Sequence, residues 1–94
     1  MSKIRKSARM QECTLMIPGV CNHNPETVVL AHAPHRDKGM GYKGPDDWAA
    51  YCCSSCHDYL DGRLHTNDSV EDKLVAWYWG VQKTQSLLKE QGLL

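Results

Sequence analysis

Two stretches of the chain have a clear hydrophobic pattern, and they differ in kind. Residues 26–33, ETVVLAHA, form a short β-branched and apolar run, which predicts a strand closing at His32. Further on, Val70, Leu74, Trp77, Val81, Thr84 and Leu88 recur every three or four positions, which predicts an amphipathic helix over 69–91 with that stripe against a core. Asn67, Asp68 or Ser69 can cap this helix. Ser69 and Asp72 have the spacing of a capping box, and Gly92 is a stop.

The rest of the chain is less periodic. Residues 1–12 are polar and basic and read as an arm, partly helical. CTLMIPGVC, residues 13–21, reads as a loop between two cysteines, closed by the turn pair Pro18-Gly19. Residues 34–47, PHRDKGMGYKGPDD, read as a long loop, of the kind that in a small domain usually carries function or is disordered. DDWAAYCC is either one helical turn or a short second strand. After it, Ser54 or Ser55 is expected to cap a helix through CHDYLDG that Gly62 ends. The elements sum to one small α+β domain over residues 1–94.

A 94-residue chain supports only a modest core, and folds of this size often add a staple such as a metal. No apolar run reaches the ~18 residues that span a bilayer. No apolar segment follows the charged N-terminus as in a secretory signal. A cytoplasmic, membrane-free protein is therefore expected. Thiols stay reduced in that compartment, so the five cysteines argue for metal rather than disulfides.

Cys53 and Cys56 form a C-x2-C pair, a strong metal signal, and Cys13 and Cys21 a looser C-x7-C pair. Each pair can bite one edge of a tetrahedron, which predicts a structural Zn²⁺ on four thiolates. Alternatively Cys13 and Cys21 are only small buried apolar residues. Cys52 is the spare, expected in the core. The string CSSCH also matches c-type haem attachment. That chemistry occurs outside the cytosol, however, and leaves Cys13 and Cys21 unexplained.

Formal net charge is zero, but it is unevenly spread. Lys3, Arg5, Lys6 and Arg9 crowd the N-terminus, and Arg36, Lys38 and Lys43 crowd the long loop, where they are candidates for phosphate contacts with DNA. Within the helix opened by CSSCH, His57 and Asp61 stand four residues apart on one face and can hold a divalent cation, Mg²⁺ or Mn²⁺. Asp61 is as well read as a surface partner of Arg63. His32, at a strand end, is a candidate general base.

A strand-end histidine, a loop, and CxxCH opening a helix, with a cysteine pair upstream, resemble the zinc-stapled HNH (ββα-metal) endonucleases. The wider pattern, most specifically IPGVCNHNPETVVLAH and CSSCHDYLDGR, resembles the small lambdoid phage and prophage nucleases of the YbcO type, over nearly the whole chain. The resemblance implies an HNH-like core stapled by a four-cysteine zinc site and backed by the C-terminal helix. It implies His32 as base, His57 as metal-binding histidine, and Cys13, Cys21, Cys53 and Cys56 as the staple. It also implies metal-dependent hydrolysis of DNA in phage recombination or DNA processing. A homodimer would supply the two centres that cutting both strands requires. The chain departs from the pattern at Ala31, where many such enzymes carry Asp or Glu, and Asp46 or Asp47 stands roughly where the middle Asn belongs. The alternative is a zinc-stapled DNA-binding module without catalysis.

Overall fold

The computed structural model describes residues 3–33, 46–64 and 66–94. Its elements are helix α1 (Lys3–Ser7), strands β1 (Val29–His32) and β2 (Ala49–Cys52), and helices α2 (Ser54–Asp61) and α3 (Val70–Glu90), with a single 3-10 turn at Pro25–Thr27 before β1. The strand predicted at 26–33 is thus shorter, because Asn24 caps the 3-10 turn through its side chain and takes the first residues. Of DDWAAYCC, residues 49–52 form the second strand. β1 and β2 pair antiparallel, with Val29 opposite Cys52 and His32 opposite Ala49.

β2 is buried along its whole length, and this has a consequence for its backbone. A two-stranded sheet leaves one edge of β2 unpaired, and buried N–H and C=O groups need partners. Two threonines provide them. Tyr51 N–H donates to Thr84 Oγ1 at 2.9 Å. Tyr51 C=O accepts from Thr14 N–H at 2.8 Å and from Thr14 Oγ1 at 2.7 Å. The polar position in the α3 stripe is therefore where the helix replaces a third strand.

α3 crosses β2 closely at Gly80. A Cβ there would stand 2.7 Å from Leu15 Cδ1, 3.0 Å from Ala50 Cβ and 3.1 Å from Thr14 Oγ1. Trp77 Nε1 donates to Ala31 C=O at 3.1 Å and so fixes the helix to β1 as well. Val81, Thr84 and Leu88 are buried as the stripe predicts, whereas Val70 is 72% exposed, because the first turn of α3 overhangs the core. The predicted capping box is present, with Ser69 Oγ accepting from Asp72 N–H and Asp72 Oδ2 accepting from Ser69 N–H.

The N-terminal arm is docked rather than free. Ala8 is buried and Ile4 packs on the core. Ser7 Oγ shares a 2.6 Å hydrogen bond with the Tyr51 hydroxyl, which also accepts from Gln91 Nε2. One buried tyrosine thus ties both ends of the chain to β2. Among the described residues, no helix is long and apolar enough to cross a membrane.

Candidate functional site

The two cysteine pairs converge. Cys13, Cys21, Cys53 and Cys56 place their sulfurs within 4.8 Å of one another, a cluster that can hold a metal ion. Cys13 lies on the loop after α1, Cys21 on the turn after Pro18-Gly19, and Cys53 and Cys56 at the entry of α2. Cys53, not Ser54 or Ser55, is the N-cap of α2: its Sγ accepts from Cys56 N–H at 3.4 Å. Cys13 Sγ accepts from Met16 N–H at 3.5 Å in the same way. Backbone N–H donors aimed at sulfur favour the thiolate that a metal needs. Cys13 is held far below the ordinary thiol range, first by its hydrogen bond from Cys52 and then by that from Cys56. The same contacts push Cys52 and Cys56 up, and burial pushes Cys21 up to about 11. Cys52 is fully buried, as expected, yet it is no bystander, because its thiol abuts the cluster.

His32 sits at the open end of β1, with its side chain mostly buried, and its Nε2 lies 2.7 Å from Asp46 Oδ1. Arg5 reaches the same carboxylate oxygen from α1 at 3.6 Å. Asp46 thus joins the site, a residue that sequence reading placed only as a stand-in for an Asn. Its one available signal was the acidic pair closing a glycine-rich loop.

His57 and Asp61 project from one face of α2, as their spacing requires, with Nε2 and Oδ2 3.6 Å apart and both side chains about one-third exposed. Arg63 Nε approaches Asp61 at 3.9 Å, so the carboxylate is shared. Among the described residues, no third His, Cys, Asp or Glu joins this pair in a metal-holding group. Arg36, Lys38 and Lys43, the predicted phosphate contacts, lie outside the described residues.

A family model described as "Putative nuclease YbcO" matches residues 2–93. The chain belongs to that family. It is 44% identical to the protein of that name from Escherichia coli strain K12, over all of this chain and 98% of the relative. The same values hold for a relative of that name from Enterobacteria phage 82. A solved structure, described as a putative bacteriophage protein from Escherichia coli K-12, superposes with a TM-score of 0.79 at 40% identity, covering 96% of this chain and 100% of that one. The family name carries a nuclease reading and the relatives a phage setting.

Proposed function

We propose that the chain is a metal-dependent endonuclease acting on DNA in the cytoplasm, on an HNH-like ββα-metal core stapled by zinc. The observation that carries this reading is the succession β1–β2–α2. It sets a mostly buried histidine at a strand end and, directly after the clustered Cys56, a histidine–carboxylate pair on the following helix. Four sulfurs suit zinc. Zn–S bonds of about 2.3 Å imply tetrahedral edges of ~3.8 Å, and Cys21 and Cys53 stand 3.7 Å apart. The imidazole and carboxylate of His57 and Asp61 suit a harder cation, Mg²⁺ or Mn²⁺, which usually keeps water and substrate oxygens in its remaining positions. When bound there, the cation supplies positive charge to the scissile phosphate and its leaving oxygen.

The protein's own part in the step follows from Asp46. An ionised carboxylate only accepts hydrogen bonds, so it holds the proton of His32 on Nε2 and leaves the lone pair on Nδ1. Nδ1 then takes the proton of a water whose oxygen attacks phosphorus. Arg5 meets the same oxygen of Asp46 from α1. Arg36, Lys38 and Lys43 are proposed to grip phosphates from the loop.

A second reading, a DNA-binding module without catalysis, draws support from Ala31 and from the two-ligand pair on α2. Nicking of supercoiled plasmid with Mg²⁺ or Mn²⁺ separates the two. The wild type is expected to nick. His57→Ala is expected to lose cleavage that excess Mn²⁺ partly restores, and His32→Ala to lose it beyond rescue. A wild type that never nicks gives the binding module the lead, and a His32→Ala variant that nicks at the wild-type rate removes His32 as base.

A further inference from the structure

The arm around α1 does more than cover the core. Two contacts lay it antiparallel along β1. At one end Arg5 reaches Asp46, which holds His32. At the other, Met10 N–H donates to Pro25 C=O at 3.2 Å. Between arm and strand runs a groove of about 510 Å³, with Arg5, Lys6 and Arg9 on one wall and Val29 and Leu30 on its floor. All three basic residues are exposed, and α1 carries no acid in its first turn. Neither Lys6 nor Arg9 has an ion pair among the described residues. Glu26 lines the end away from His32. In a chain of zero net charge this is a concentrated cationic wall, and it leads to the candidate base.

We propose that this groove binds the phosphodiester backbone of DNA and guides it to His32, with Lys6 and Arg9 as phosphate contacts and Arg5 as the hinge between groove and site. The inference rests on the nuclease reading for its ligand, but the anion site stands on its own geometry. The grip is on phosphates, so it is indifferent to sequence. The half-exposed Val29 offers sugars and bases an apolar floor with no edge to read.

Lys6→Gln/Arg9→Gln, made in the His32→Ala background and studied as the full chain without added divalent cation, tests this against labelled duplexes of unrelated sequence. Each lost phosphate contact should lower the slope of log K against log salt by about 0.9, or ~0.7 on a single strand. The double variant should therefore lose about 1.8 of slope on every duplex. Raising salt from about 50 to 200 mM should then weaken it roughly tenfold less than its parent. Glu26→Gln should bind more tightly than its parent. Lys83→Gln/Lys89→Gln, two exposed changes on α3, should leave the slope unaltered. Titration with inorganic pyrophosphate, followed by amide NMR, should move the signals of Lys6, Arg9 and Val29. An unchanged slope in the double variant, or an equal loss in the α3 control, overturns the groove while plasmid nicking still stands. Shifted groove amides in a wild type that never nicks would leave the groove in place and remove the nuclease reading.

Discussion

The four-cysteine cluster and the His32–His57 region meet at α2, which carries both Cys56 and His57, yet they are built to different standards. In the cluster, three of the four cysteines are buried and the sulfurs are drawn together from three segments. Two of the sulfurs accept backbone N–H bonds. The histidine region consists of two separate pairs, His32–Asp46 and His57–Asp61, and the second is open to water and shared with Arg63. A staple must be complete before substrate arrives, whereas a site for phosphate chemistry can leave positions to be filled by water and substrate. On the proposed reading, the difference separates the part that keeps the fold from the part that spends its freedom on function.

The contrast can be broken most severely at the cluster. Structural zinc supplies on the order of 10 kcal/mol or more, comparable to the whole stability of a domain. Cys53→Ser, Cys56→Ser or Cys13→Ser is therefore expected to abolish cooperative melting and metal content together, as checked by circular dichroism and elemental analysis. Cys52→Ser keeps all four clustered cysteines. It should hold one equivalent of metal and lose roughly 1–3 kcal/mol for a buried polar change, so loss of metal in Cys52→Ser would make that sulfur a ligand.

On the histidine side, His32→Ala should reduce the nicking rate about 10²–10⁴-fold with metal content and melting nearly unchanged. Asp46→Asn should cost less, about 10–100-fold, because it perturbs the orientation and tautomer of His32 without removing it. A nitrogen-15 NMR spectrum of the imidazole should then show mixed tautomers, where the wild type is expected to show Nε2–H alone. Retained Nε2–H in Asp46→Asn would assign the orientation of His32 to something other than Asp46.

Two smaller effects calibrate the scaffold that both regions share. Gly80→Ala forces a methyl against Leu15 and Ala50, and overpacking of this kind costs about 1–3 kcal/mol, less up to ~1 kcal/mol of helix propensity gained. Ser69→Ala removes the N-cap of α3 and should cost about 1 kcal/mol. Both are read from urea midpoints, and neither should alter metal content. A Gly80→Ala protein as stable as wild type would mean that Leu15 moves aside freely.

What was legible in the sequence was mostly local. The Cys pairs, the His57–Asp61 spacing and the Ser69–Asp72 box are set by separations of a few residues, and all are found as spaced. The cap of α2 lies one or two residues before the serines that the sequence suggests, because a thiol rarely caps a helix and the sulfur of Cys53 does so here. Val70 follows the stripe but not the burial, since a period says which face is apolar and not where the core ends. The docking of the arm rests on Ile4, Ser7 and Ala8, too few positions to register as a period. The His32–Asp46 contact spans 14 residues of glycine- and proline-rich chain, across which no local rule reaches.

The spread of the four clustered cysteines along the sequence sets a timetable for the newborn chain. Cys53 lies 32 residues after Cys21, so at ~5–20 residues per second a ribosome separates the two pairs by about 2–6 seconds. During that interval the first pair is an incomplete chelate. β1 has emerged without β2, and α3, which satisfies the buried edge of β2, comes last of all. With a metal as the staple, folding would wait both for α3 to be made and for the ion. A cell short of that metal would hold the chain unfolded and exposed to proteases, so that the protein's abundance would follow metal supply.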